Sequence, residues 1–212
     1  SGPRHGCAAS WPRHRCAASG SRHGRAAPSA VGLLVLSQPR PAVFDVATAG
    51  DERHHPAGSD PLWNESWYFD FAAPDGRLGG YVRVGLYPNL GVCWYWASLV
   101  GPDRRTVMVV DNAVPLPRSG TLEVRADGLW ADHNCEEPLD RWSLGLESFG
   151  VALDDPGDAY SGMVGHRTPL GFDLEWETDG SVFTYPEGLD RYEVPCRVHG
   201  EILVADETIE LD

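Results

Sequence analysis

Residues 78–100, LGGYVRVGLYPNLGVCWYWASLV, contain two apolar segments on either side of the tetrapeptide Pro88-Asn89-Leu90-Gly91. Proline fixes φ near the value that a turn needs, and asparagine and glycine tolerate positive φ, so the tetrapeptide predicts a chain reversal. Residues 81–86 are then expected to pair antiparallel with residues 92–99. This stretch therefore predicts a β-hairpin at the centre of an all-β fold.

The second arm of the hairpin is apolar on both of its faces. Because successive side chains on a strand point to opposite sides, we expect Trp94 and Trp96 on one face and Cys93 and Tyr95 on the other. Both faces then need cover. A curved sheet that wraps around a filled or ligand-holding interior provides it.

Strand-like segments recur through the rest of the chain, separated by Gly, Pro and Asp-Gly turns. This pattern predicts an antiparallel lipocalin-like (calycin-type) β-barrel or a strongly curved β-sandwich. The sequence that begins at Asp155 and Pro156 predicts a single helical turn, since Asp caps helices and Pro suits their first position. Besides the hairpin, the predicted strands are 64–71, 106–111, 121–126, 129–133, 141–153, 170–178, 182–185, 194–204 and 208–211.

The N-terminal part of the chain has a different composition. Residues 1–27 repeat a nine-residue unit three times, with Cys7 and Cys16 in the first two copies and no cysteine in the third. An Arg-, Ala- and Gly-rich repeat without a hydrophobic period does not bury enough apolar surface to fold. The sequence therefore predicts a disordered tail and linker over residues 1–58, followed by a barrel domain over residues 59–212.

The charge of the chain is distributed unevenly. The net charge is −14, from 17 basic and 31 acidic residues. Residues 1–44 hold six of the basic residues and no acidic residue, so the rest of the chain is strongly acidic. Nucleic-acid binding needs a basic surface, and the acidic body argues against a nucleic-acid partner.

Five cysteines without C-x-x-C spacing favour reduced thiols in a cytoplasmic protein and give no zinc motif. The apolar run over residues 31–36 is too short to span a membrane, so we expect no stable membrane insertion. We also expect no metal ion and no cofactor.

Several aromatic residues are candidates to line a ligand site, because large flat rings pack well against isoprenoid or polyketide chains. The alternative is that these rings simply fill the core of the sheet. The candidates for ligand binding are Tyr81, Trp94, Trp96, Trp130 and Trp176.

Two polar residues are candidates for catalysis. The predicted strand 170–178 carries three carboxylates on one face, a pattern typical of a solvated surface; if that face were internal, Glu175 would be a desolvated acid able to protonate an alkene. His199 shares a face with Arg197 and Glu201. Such a row either orients a polar headgroup or forms a cross-strand salt-bridge ladder.

The aromatic and acidic positions of the strands resemble a known family, the lipocalin-like proteins related to hydroxyneurosporene synthase (carotenoid hydratase) and the AttH-like proteins. The resemblance spans residues 60–212 and implies a pair of lipocalin-like barrels that enclose an apolar ligand channel. Members of that family include hydratases of long isoprenoid chains. The resemblance rests on Glu65–Asp70, Leu78–Arg83, Trp94, Trp96, Leu129–Asp132 and Gly171–Trp176.

Two functions remain open at this point. The first is binding of an apolar small molecule, a lipid, isoprenoid or polyketide, without catalysis. The second is hydration or isomerisation of a similar molecule by a two-barrel protein. The carotenoid hydratases resemble one another in a His/Trp-containing segment that follows the strand corresponding to residues 201–211, and this sequence ends at Asp212. The resemblance thus implies a first barrel, inactive alone, with the second barrel of the full-length chain as its partner.

Overall fold

The computed structural model describes residues 47–185 and 191–212. The part of the predicted disordered tail that covers residues 1–46 lies outside the described residues. The described chain forms one ten-stranded antiparallel sheet and a separate two-stranded hairpin. The strands are β1 (Glu65–Ala72), β2 (Gly79–Tyr87), β3 (Val92–Val100), β4 (Val107–Pro115), β5 (Val124–Ala126), β6 (Leu129–Glu137), β7 (Arg141–Leu153), β8 (Gly165–Thr178), β9 (Phe183–Thr184), β10 (Tyr192–Glu193), β11 (Cys196–Val204) and β12 (Glu207–Leu211).

The predicted central hairpin is confirmed. Strands β2 and β3 pair antiparallel, with Tyr87 opposite Val92 at the turn. The backbone N–H of Leu90 donates to the carbonyl of Tyr87 over 3.0 Å. Gly91 has φ of +72°, the left-handed conformation for which glycine is suited.

The sheet forks at β7. One edge of β7 pairs with β8 along its whole length. The other edge pairs with β6 up to Ser148 and then with β4 at Val151 and Ala152. A strand shared between two neighbours turns the sheet through a sharp bend, and the result is a strongly curled antiparallel half-barrel. The prediction of an all-β, strongly curved antiparallel fold is confirmed.

The core fills the concave side of the half-barrel. Phe69, Tyr95, Leu144 and Trp176 are almost completely buried there. Buried and less buried residues alternate along β8 and β11, as expected for strands with one covered face.

The two edge strands of the sheet face each other across a seam. Within the described residues β1 pairs only with β2, and β12 pairs only with β11. The seam holds a cavity of about 140 Å³ whose lining includes Phe71, Val198 and Leu211. Among the described residues, side chains of both edge strands line this cavity and no backbone pairing joins the two strands.

Residues 47–58, which the sequence assigned to the tail and linker, pack against the sheet in the structure. The Nδ2 amide of Asn89 donates to the carbonyl oxygens of Gly58 and Asp60 over 2.8 and 2.7 Å. The Nε1–H group of Trp142 donates to the Glu52 carboxylate over 2.9 Å. These contacts are distant in sequence, and the local composition gave no sign of them.

The single helical turn also lies where the sequence predicted it. Residues Pro156–Tyr160 form a 3-10 helix, and the Asp155 side chain caps it by accepting from the N–H of Gly157 over 2.7 Å. No helix in the described part of the chain is long and apolar enough to cross a bilayer.

Candidate functional site: an apolar groove on the outer sheet face

A groove of about 580 Å³ crosses the outer face of the sheet from β5 to β11. The pairing register places Trp130 opposite Glu147, Glu147 opposite Gly171, and Gly171 opposite Leu203. These four residues form one cross-strand row on the outer face. The indole of Trp130 and the half-exposed side chain of Leu203 are the two walls of the groove.

Gly171 keeps the floor of the groove low. An added methyl carbon at Gly171 would be 3.0 Å from the carbonyl oxygen of Leu146 and 4.0 Å from the Leu203 side chain, so it would fill space beside that wall. The Trp130 ring leans over Gly145, where an added methyl carbon would be 3.4 Å from the ring carbons. Gly145 lines a depression next to the groove.

The ends of the groove have opposite charge. At one end Phe149 is 48 % exposed, and the guanidinium of Arg167 lies 3.7 Å from the centre of its ring. At the other end the groove continues into a second depression of about 410 Å³, lined by carboxylates that include Asp132, Asp173 and Glu201. The groove thus presents apolar walls, the Glu147 carboxylate between them, a cation at one end and anions at the other.

The other predicted ligand-binding residues do not join Trp130. Tyr81, Trp94 and Trp96 lie together on the outer face of β2 and β3, where the indoles of Trp94 and Trp96 stack with centres 5.9 Å apart. Trp176 lies in the interior, where its ring meets the edge of Phe69 at 5.4 Å. The structure therefore divides the five candidates among three places.

The interior site around Trp176 contains a buried carboxyl group that the sequence did not indicate. Glu52 is 5 % exposed, and its Oε2 accepts from Trp142 while its Oε1 has no partner. Burial raises the pKa of Glu52, and the nearby polar groups of Tyr192 and Trp142 oppose that rise in part. A cavity of about 10 Å³ lies beside Glu52, Phe69 and Trp176, which is room for one water molecule.

His133 is a second buried ionisable group. Its ring lies between Phe69 and Tyr95, with centres 5.8 Å from each. Neither ring nitrogen of His133 has a hydrogen-bond partner, and the Tyr95 hydroxyl has none either. Burial lowers the pKa of His133 to about 3, so this imidazole is neutral at physiological pH.

The two candidate catalytic residues meet on the outer face. His199 lies opposite Glu175 across β11 and β8, with Nε2 3.5 Å from a carboxylate oxygen. Glu177 completes a group whose ligand atoms lie within 4.8 Å of one another. Both side chains of the His199–Glu175 pair are more than 40 % exposed. The group has the donors for a divalent cation, but its exposure equally fits a surface ion pair, and we assign no metal to it.

The comparison with protein families assigns the chain to a family. Residues 48–212 match the model of a family described as a domain of unknown function, DUF7064. The chain belongs to that family. Comparisons with curated proteins and with solved structures give no match. The matched region of this DUF7064 domain includes the groove, the buried Glu52 and the aromatic cluster of β2 and β3.

Cys93 and Cys135 are free thiols in the DUF7064 domain. Burial raises the pKa of Cys93 to about 12 and that of Cys135 to about 11, so neither is a thiolate at neutral pH. These cysteines pack as small apolar side chains.

Proposed function

We propose that the protein binds an apolar small molecule, a lipid, isoprenoid or polyketide, in the groove between Trp130 and Leu203. The observation that carries this proposal is the volume of the groove, about 580 Å³, together with its exposed apolar walls. Sites for small ligands in proteins commonly enclose about 300 to 1,000 Å³ and are lined mainly by apolar and aromatic side chains. An apolar chain would replace water over Trp130, Phe149 and Leu203.

The surroundings of the groove restrict where such a ligand lies. The face next to the groove is rich in carboxylates, which disfavour apolar contacts. An apolar ligand is therefore expected to stay among Trp130, Leu203 and Phe149, with any anionic group near Arg167. Within the described residues Arg167 has no carboxylate at ion-pair distance, so its charge is available to a ligand.

The test is a titration with N-phenyl-1-naphthylamine, an uncharged apolar fluorophore. We expect the probe to bind with enhanced emission and to quench tryptophan fluorescence. The Leu203→Gln variant should bind about tenfold more weakly, because it removes apolar contact worth about 1 to 2 kcal/mol. Leu90 in the β2–β3 turn has nearly the same exposure, 47 % against 50 % for Leu203.

The Leu90→Gln variant is therefore the matched control and should bind as the unaltered chain does. Equal weakening by both substitutions, or no binding by any variant, would rule out the groove as the site.

A second candidate function is acid-catalysed hydration of an alkene, which the buried Glu52 favours. A carboxyl group with a raised pKa retains its proton at higher pH and can transfer it to an alkene carbon. Water then adds to the other carbon and returns its proton to the carboxylate. Phe69, Trp142 and Trp176 surround the site with aromatic faces, which stabilise positive charge.

The cavity beside Glu52 admits one water and no alkene, so this reaction needs residues 47–58 to move away from the interior. The test is incubation of the protein with an isoprenoid alkene in ¹⁸O-labelled water. Labelled alcohol from the unaltered chain and none from Glu52→Gln would support hydration. Absence of labelled alcohol from both would leave binding as the function.

A further inference from the structure

The outer face of β1, β2 and β3 carries polar side chains that are buried as deeply as the interior. Ser66 on β1 is 0 % exposed, and Arg83 on β2 is 6 % exposed. Ser66 lies opposite Gly85, and Gly85 lies opposite Trp94, so the three share one cross-strand row. Charged side chains are rarely buried unless they are paired, and these two positions therefore need a physical reason.

The guanidinium of Arg83 extends over Gly85. A methyl carbon added at Gly85 would lie 2.8 Å from Nη1 and 3.0 Å from Cζ of Arg83, so only glycine leaves room for it. The Arg83 Cζ atom is 4.8 Å from the centre of the Trp96 ring. Nη2 donates to the Tyr87 hydroxyl over a long 3.4 Å, and the Tyr87 ring packs on Trp94 at 4.3 Å. Aromatic side chains thus surround the cation.

Two hydrogen-bond donors are left without an acceptor on this face. Nη1 of Arg83 and Oγ of Ser66 are both buried and have no partner. Among the described residues, no carboxylate lies within ion-pair distance of Arg83. Arginine keeps its charge in proteins, and each buried polar group without a partner destabilises a fold by about 1 to 3 kcal/mol. One acceptor within hydrogen-bond distance of both Nη1 and Oγ would satisfy both groups.

We propose that Arg83 and Ser66 form an oxyanion site, which binds the carboxylate or phosphate group of a small amphiphile. The Arg83 guanidinium supplies charge and the Ser66 hydroxyl supplies a second donor. The half-buried indoles of Trp94 and Trp96 contact the apolar body of the ligand. This site is separate from the groove between Trp130 and Leu203, because it lies on β1–β3 and the groove lies on β5–β11.

The chemistry of the two donors selects an anion over other ligands. A cation would meet the like charge of Arg83, and a neutral alcohol would offer a weaker acceptor than a carboxylate. Hydrogen bonds to a charged group contribute about 1.5 to 3 kcal/mol, which is roughly a ten- to hundredfold preference in affinity. The headgroup of the ligand, more than its alkyl chain, is therefore expected to determine the affinity at this site.

The test compares three ligands that share one alkyl chain: decanoate, decyl phosphate and decanol. Isothermal titration of the full chain should give at least about tenfold tighter binding for one or both anions than for decanol. A larger preference for decanoate identifies a carboxylate ligand, and a larger preference for decyl phosphate identifies a phosphate ligand. Equal affinity for all three compounds would overturn the proposal.

Substitutions then test whether the preference for anions depends on Arg83. Arg83→Gln and Gly85→Ala should each remove it, the second because its methyl group displaces the guanidinium while every donor remains in the chain. Arg105→Gln, which removes an exposed arginine paired with Asp154, is the charge-matched control and should keep it. Circular dichroism checks folding, and if Arg83→Gln does not fold, Gly85→Ala decides.

The groove variant Leu203→Gln separates this site from the proposed function. The anion preference should survive in Leu203→Gln even where the uncharged fluorophore no longer binds. Loss of the preference in Leu203→Gln, or its survival in both Arg83→Gln and Gly85→Ala, would overturn the assignment to Arg83 and Ser66.

Discussion

Glu52 makes stability depend on pH at the level of one side chain. Its folded-state pKa is raised, chiefly by burial, so its contribution is fully present below the unfolded pKa and is lost as pH rises. The Glu52→Gln variant keeps an oxygen that accepts from Trp142 and carries no charge. We expect it to be more stable than the unaltered chain by about 1 to 2 kcal/mol at pH 7.5, with a smaller difference at pH 4.

Urea denaturation at the two pH values measures this difference. Glu147→Gln, on the exposed outer face opposite Trp130 and Gly171, is the control and should change the free energy of unfolding by less than about 0.5 kcal/mol. A loss of stability in Glu52→Gln that is largest at pH 7.5 would contradict the prediction.

His133 changes the pH dependence of stability in the opposite direction. Its pKa is lowered to about 3 in the folded state, against about 6.5 in the unfolded chain. Unfolding therefore takes up a proton between these values, and stability falls by about 1.4 kcal/mol per pH unit as pH drops through this window. Replacement by leucine removes this dependence. The stability gained by His133→Leu should thus be larger at pH 5 than at pH 7.5 in denaturant titrations. An equal gain at both pH values would refute this predicted pH dependence.

The sequence predicted part of this arrangement at the residue scale. Alternation along β3 correctly placed Trp94 with Trp96 and Tyr95 with Cys93 on opposite faces. It did not say which face is internal, because both are apolar, and only the bend at β7 settles that Tyr95 lies inside. Glu52 was not predicted, since its burial depends on Trp142 and Tyr192, which are far away in sequence.

At the scale of elements, the β8–β11 pairing depends on one glycine. Gly200 has φ of +127°, and a methyl carbon there would lie 2.2 Å from the carbonyl oxygen of Asp173 on the neighbouring strand. We expect Gly200→Ala to destabilise the fold by about 2 to 4 kcal/mol, because backbone strain and a backbone clash coincide. Chemical denaturation measures the loss.

A substitution at Gly76 separates the effect of backbone strain from that of the backbone clash. Gly76 also has positive φ, +71°, but an added methyl carbon would meet nothing within 4 Å. The Gly76→Ala variant should therefore show the conformational cost alone, about 1 kcal/mol. Equal losses of unfolding free energy in both variants would mean that the contact with Asp173 does not contribute to the loss in Gly200→Ala.

Turn residues and alternation predicted most strand positions, and the predicted strand 141–153 coincides with β7. Strand β10 was missed because two residues give no periodic signal. The groove was not predicted as a unit. It depends on the register among β6, β7, β8 and β11, which arises from pairings between distant parts of the chain and leaves no local pattern.

At the scale of the whole molecule, residues 47–58 cover one end of the half-barrel. A chain that begins at residue 59 loses the hydrogen bond from Trp142 to Glu52 and the one from Asn89 to Gly58. Compared with a chain that begins at residue 47, we expect its Tm to be lower by about 5 to 10 °C. Differential scanning calorimetry measures the two chains. Equal Tm values would show that this segment does not support the fold.

The seam between β1 and β12 governs how the molecule opens. Phe71 and Leu211 line the cavity at this seam, and among the described residues no backbone pairing joins β1 to β12. The two edge strands are therefore free to separate without breaking any backbone pairing of the central strands. In hydrogen–deuterium exchange, amides of β1 and β12 should exchange by local opening, well before those of β7 and β8, which exchange only through global unfolding. An apolar ligand that reaches the interior would enter there, between β1 and β12, as these two edge strands separate.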